Sequence, residues 1–293
     1  MTPRNGFIAA VLLIVTGLVV WKVGWLSPPF AAGSSPQELD ERSDWGLDPV
    51  WDDGQAEVAT YEAARTVYQQ PRRFETVLIT VKEDFTKAFY VKADPPYEGR
   101  DLLTVLKLNV VSEIQTEQYP YRYLTSVFVD RAQPMRVVKM TMGSQEWCGN
   151  TFKEFIGWDG RPRLVFYSYF DHQGDGTYLI DLRAGDLLED QLPVSFRSLP
   201  FKPGLEFVTH FIETQITNQV TPPRLIDAAI TVTGLEPVET GIGTIPSWNV
   251  EVKTESLTQH YWFEQASPNI LTRFTSSDGR QLVLKARTRR KYW

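Results

Sequence analysis

From residue 56 onward, apolar and polar positions alternate in short runs separated by turn residues. The runs 57–68 and 74–85 flank Gln69-Gln70-Pro71-Arg72 and predict a first hairpin. In the second run Val77, Ile79 and Val81 fall on one side, and Thr76, Thr80 and Lys82 on the other. The pattern recurs over 102–115 and 121–129 around Gln118-Tyr119-Pro120, then over 135–145 and 147–158. Trp158-Asp159-Gly160-Arg161 is a hairpin-turn signal, and His172-Gln173-Gly174-Asp175-Gly176 separates 164–170 from 177–182. Residues 185–198 are the one helical candidate. Strands resume over 205–213, 226–234, 247–253, 257–264, 270–276 and 281–290, with a turn at Ser277-Asp278-Gly279-Arg280. In the last run Leu282, Leu284 and Ala286 face opposite to Lys285, Arg287, Arg289 and Lys291, the period of a sheet with one wet face. The expectation is an all-β fold with minor α: a large curled antiparallel sheet, barrel- or half-barrel-like, spanning 54–293. Pro200 and Pro203 interrupt near 199–204, but a single continuous sheet is the favoured reading.

The first residues follow another pattern. Residues 7–21 are all apolar or small, and after Lys22 the run continues to Leu26, long enough for a transmembrane helix over 7–26. Lys22 can snorkel, and Trp21 and Trp25 suit the interfacial belt. Arg4 and the amino group place residues 1–6 in the cytoplasm. An uncleaved single-pass anchor with the C-terminal domain in the periplasm competes with a cleaved signal, which would release the protein. Bulky Phe30 before Ala31-Ala32-Gly33 makes a poor cleavage site. Residues 27–53, rich in Pro, Ser and acids, read as a linker.

Composition narrows the possibilities. The 293 residues are 42% hydrophobic and 13% aromatic, the make-up of a folded chain. Net charge is -6, and past residue 30 there are 28 bases against 36 acids, which argues against a nucleic-acid partner. A short basic stripe, Lys285 to Lys291, is a solvated sheet face or a contact for an acidic partner or lipid headgroup. One cysteine, Cys148, excludes an internal disulfide and a multi-cysteine zinc site.

No catalytic signature is present. Trp147-Cys148-Gly149 lacks the second cysteine of a redox pair, with Thr151 in its place, and a nucleophilic Cys148 would need His172, His210 or His260 beside it. Asp171, His172 and Asp175 read as a tight turn rather than a calcium loop. No cofactor and no metal site are expected.

Several strings together resemble a family. They are Asp53-Gly54-Gln55-Ala56-Glu57-Val58 with Tyr61 and Arg65; Thr80-Val81-Lys82-Glu83-Asp84-Phe85-Thr86-Lys87; Val105-Leu106-Lys107-Leu108-Asn109; Pro120-Tyr121 with Thr125-Ser126-Val127-Phe128; and Ser144-Gln145-Glu146-Trp147-Cys148-Gly149. The chain is similar, best over about residues 50–182, to an uncharacterised family of exported bacterial proteins, some labelled septum formation inhibitor Maf. That label implies a cytoplasmic α/β nucleotide pyrophosphatase, which a strand-rich chain with an export segment does not match. More loosely, Tyr261-Trp262-Phe263, Arg273 and Ser277-Asp278-Gly279 resemble DUF3108-type envelope proteins, which implies a curled-sheet carrier of lipid-like ligands.

The leading expectation is therefore a membrane-tethered envelope protein binding a lipid-like or other apolar ligand. Its candidate ligand-binding residues are Phe166, Tyr167, Tyr169, Tyr261 and Phe263, within an aromatic set that includes Phe170 and Trp262 and could line a concave cavity or simply fill a core. The alternatives are a structural or interaction protein of an envelope complex, and a hydrolase of unknown type.

Overall fold

The computed structural model describes residues 44–157 and 160–293. The expected anchor over 7–26, residues 1–6 and most of the 27–53 stretch lie outside the described residues, as do Trp158 and Asp159 of one expected turn. Among the described residues no helix is long and apolar enough to cross a membrane.

Strands hold 58% of the described residues against 7% in helical turns, so the fold is all-β. The first hairpin is β1 (Ala56–Val67) with β2 (Gln70–Thr86). Its turn is only Tyr68-Gln69, with φ of 51° and 61°, the left-handed pair whose twist matches the flanking strands. Pro71 therefore sits at the start of β2 rather than in the turn. The short β3 (Val91–Lys92) pairs only with β2. A meander follows: β4 (Leu102–Gln115), β5 (Pro120–Asp130), β6 (Val137–Glu146), β7 (Gly149–Ile156), β8 (Arg163–Ser168) and β9 (Gly174–Leu179). After β10 (Leu187–Leu188) the second half runs β11 (Glu206–Ile212), β12 (Leu225–Thr240), β13 (Gly243–Lys253), β14 (Thr258–Glu264), β15 (Leu271–Ser276) and β16 (Gln281–Arg290).

The first and last long strands join the two halves. β1 pairs antiparallel with β2 on one side and with β16 on the other. The result is one curled, unclosed sheet, with β9 at one end and β10 at the other. It is antiparallel throughout except where Leu187 and Leu188 run parallel to Phe211 and Ile212. The prolines near 199–204 mark no break in the sheet. Register shifts, as between Thr60 and Tyr61 against β16, bend individual strands and help the sheet curl.

Inside the curl, Leu78, Leu106, Leu108, Val127, Met140, Phe211, Ile230, Val250, Phe263 and Leu284 form one apolar core. Residues 187–199 occupy its middle. The helical expectation over 185–198 is met by three consecutive short turns, Glu189–Gln191, Leu192–Ser195 and Phe196–Ser198, with Pro193 in the first turn of the middle one. The segment is buried on every side: Leu187, Gln191, Leu192, Val194, Ser195 and Phe196 are all fully enclosed. Its polar groups are satisfied internally, as burial requires. Gln191 accepts from Leu188 N at 2.8 Å and donates to Met135 O at 2.9 Å. Ser195 Oγ donates to Pro134 O at 2.6 Å. Arg197 is the main anchor, donating from both terminal nitrogens to the Glu57 carboxylate at 2.8 Å and from Nε to Pro268 O at 2.9 Å.

The end of the stretch expected to be a solvated linker is packed. Trp45 and Trp51 are buried and lie beside the Arg197 guanidinium at 5.0 and 5.3 Å from their ring centres. Asp52 bonds Arg131 and Lys82, which together hold its carboxyl down at about 2. Two indoles inserted into a core outweigh the polar composition around them.

Candidate functional site

Beside the buried segment lies a half-open cavity of about 140 Å³. Its apolar wall comes from Phe74, Leu78, Val110, Ile216, Phe274 and Leu282. Tyr261 also lines it, and its hydroxyl donates to Gln259 Oε1 at 3.2 Å.

The polar end of the cavity carries Glu189, Asp190, Arg65 and Arg280. Arg280 follows Gly279, whose φ of 89° makes the turn from β15 to β16, and it donates to Glu189 Oε1 at 2.7 Å. Gln259 Nε2 donates to the same oxygen at 2.7 Å, and Thr214 N to Oε2 at 3.0 Å. Glu189 is thus fully engaged. Asp190 accepts from Thr214 Oγ1 at 2.6 Å and from Gln215 N at 2.7 Å. Burial, reinforced by the neighbouring Glu189 charge, nevertheless raises its carboxyl to about 6. Lys153, fully buried on the inner face of β7, donates to Gln215 O at 2.9 Å, and burial lowers its ammonium to about 8.

Arg65 differs from these. It leans over the Tyr123 ring at 5.5 Å and donates to Ile216 O at 3.2 Å. Among the described residues it has no carboxylate partner, and burial lowers its pKa. A half-buried guanidinium with spare donors beside an apolar cavity has the chemistry to accept an anion.

The structure disperses the aromatic residues singled out in the sequence. Neighbours in a strand point to opposite faces. Phe166 faces inward and stacks on Tyr178 at 5.0 Å, whereas Tyr167 and Tyr169 stand on the outer face, 59% and 74% exposed. Phe263 is fully buried and packs on Phe201. Trp262 lies outside and bonds Glu236. Of the five named residues only Tyr261 reaches the cavity.

The string Ser144, Gln145, Glu146, Trp147, Cys148 and Gly149 ends β6 and forms the turn into β7. Ser144 is buried, while Trp147 and the free thiol of Cys148 are exposed. Cys148 Sγ lies 2.8 Å from Tyr119 Oη. The three histidines are engaged elsewhere: His172 with Asp171, His210 with Asp186 and Asp227, and His260 with Asn249 and Glu251. Among the described residues, no group of three or more His, Cys, Asp or Glu is placed to hold a metal ion. The basic stripe on β16 is largely neutralised within the protein. Lys285 pairs with Glu75, Arg287 with Glu264, and Arg289 with Asp53 at 2.8 Å.

The cavity's charged residues come from β1, the buried segment and the last hairpin, so no sequence spacing unites them. Arg65 is the exception, since it stands in the first string of the family resemblance. No family model, no curated protein and no solved structure matches this chain.

Proposed function

We propose that this protein is a non-enzymatic binding protein for a small anionic amphiphile, held with its apolar body in the cavity and its acidic head on Arg65. The supporting observation is the pairing of an apolar cavity with a guanidinium that, among the described residues, has no carboxylate partner. At about 140 Å³ the cavity is close to the ~150 Å³ engineered cavity that admits benzene, so one ring or a short alkyl chain fits while a whole lipid chain does not. Glu189 and Arg280 pair with one another at this end, which leaves Arg65 as the lining cation without an ion-pair partner among the described residues. The 7–26 segment supports a location at the cell membrane with the β-sheet domain in the periplasm. Native mass spectrometry of the purified protein, before and after solvent extraction, tests the reading. A bound acid of low mass is the expected result; consistently ligand-free protein that takes up neither hexanoate nor phenylacetate would remove it. Mass spectrometry of the mature N-terminus tests the anchor, and a chain starting near Gly33 would replace it with a cleaved signal.

A second reading, an interaction protein presenting a sheet face, draws on the outer surface of β4 to β8. There Val111, Leu124, Phe152 and Tyr167 lie in one cross-strand row, each more than 40% exposed.

A further inference from the structure

The turn between β6 and β7 builds a second site, remote in chemistry from the cavity. Trp147 is 79% exposed, yet its ring is not loose. It stacks on Tyr119 at 5.7 Å and 18°, and Tyr119 stacks in turn on Tyr121, which is buried. The indole is therefore the exposed end of an aromatic column rooted in the core. Tyr169 is also exposed and lies directly over Gly149, where a Cβ would come within 2.4 Å of its Cδ1. The missing side chain is what lets this ring settle on the backbone.

Both rings border a surface groove of about 340 Å³, whose remaining lining includes Arg122, Gln145, Glu146 and Asn150. Arg122, Gln145 and Asn150 are register partners on three adjacent strands, so they stand in a row across the outer face. The amides of Gln145 and Asn150 have no hydrogen-bond partner among the described residues, and both side chains are exposed. Arg122 spends only Nε, on Glu113 at 2.8 Å. Glu146 is fixed by Asn218 Nδ2 at 2.7 Å and Tyr119 Oη at 3.4 Å.

Two positioned aromatic faces alternate here with a row of free donors and acceptors. An apolar partner would leave those amides buried and unsatisfied. A polyanion would meet Glu113 and Glu146 around a single guanidinium. A pyranose ring satisfies both halves, because its axial C–H groups pack on an aromatic face while its equatorial hydroxyls donate and accept at the edge. Equatorial linkages keep such rings in a flat, extended chain that can reach both aromatic residues.

We propose that this groove binds a glycan of β-1,4-linked hexopyranose units, with rings seated on Trp147 and Tyr169 and hydroxyls bonded to Gln145, Asn150 and Arg122. The test is calorimetric titration of the full-length protein with cellohexaose and chitohexaose, with α-linked maltohexaose for comparison. Saturable binding of at least one β-linked glycan is expected, with Kd between about 10 μM and 1 mM. Trp147→Ala and Tyr169→Ala should each weaken it about tenfold or more, about 1.4 kcal/mol, since each removes a stacking face. Both residues are exposed, and unchanged far-ultraviolet circular dichroism with unchanged hexanoate binding shows that the variants fold. Failure of both β-linked glycans to bind at about 10 mM, or binding unaltered in both variants, would overturn the proposal.

Discussion

Replacing Arg197 with methionine tests how the buried segment is fastened to the sheet. The guanidinium makes two 2.8 Å bonds to Glu57 and one of 2.9 Å to Pro268 O, and both charged side chains are nearly inaccessible, at 3% and 9%. Methionine fills much of the same volume but leaves the Glu57 carboxylate buried without a counter-ion. Removing one partner of such a pair costs about 3–5 kcal/mol, a large part of the roughly 5–15 kcal/mol that holds a domain folded. Loss of the contacts to Trp45 and Trp51 acts in the same direction. Urea unfolding followed by tryptophan fluorescence should therefore give a midpoint far below that of the parent. The double variant Glu57→Leu/Arg197→Met removes the stranded charge and should recover most of the loss, because a well-packed apolar pair is commonly as stable as a buried ion pair. A single-variant loss under about 1 kcal/mol, or a double variant no better than the single one, would refute the anchoring argument.

Two further perturbations probe the same interior. Asp190, raised from 3.8 to about 6, stays protonated in the folded state over a range where the unfolded chain is ionised, so it makes stability fall as pH rises between those values. Lys153, lowered from 10.5 to about 8, has the converse effect: stability rises with pH between about 8 and 10.5. Each limb is worth up to about 3 kcal/mol. Urea midpoints for the parent and Asp190→Asn should converge toward pH 4 and separate toward pH 6, whereas parallel profiles would contradict the assignment. Gly46→Ala should cost about 2 kcal/mol, because its Cβ would stand 2.0 Å from the Arg131 carbonyl oxygen and force two backbone segments apart. A melting temperature equal to the parent's would show that this contact yields freely.

The strands were legible in the sequence because a half-buried strand carries a period of two. The runs over 205–213, 257–264, 270–276 and 281–290 match β11, β14, β15 and β16 within a residue or two. Where proline intruded the reading stopped short. β12 continues past 234 to Thr240, with Pro237 directly opposite Pro246 of β13, so the two missing donors fall on a single rung. Which face of β2 turned inward was not legible either. Val77, Ile79 and Val81 pack with Ala56 and Val58 in a small outer cluster, while Leu78 faces the main core. The candidate site was almost invisible. Glu189, Asp190 and Lys153 look like ordinary surface charges, and only the return of the chain through the curl buries them. The aromatic candidates failed to converge because Phe166 and Tyr167, adjacent in a strand, cannot share a face.

Titration with hexanoate and with hexanol, in the parent protein and in Arg65→Gln, tests the central claim most directly. The two probes share an alkyl chain that suits a cavity of about 140 Å³ and differ in the charge Arg65 would read. Hexanoate should bind the parent about tenfold or more tighter than hexanol, and Arg65→Gln should abolish that preference while leaving hexanol binding unchanged. Equal affinity of the parent for acid and alcohol, or a preference that survives in Arg65→Gln, would contradict the account.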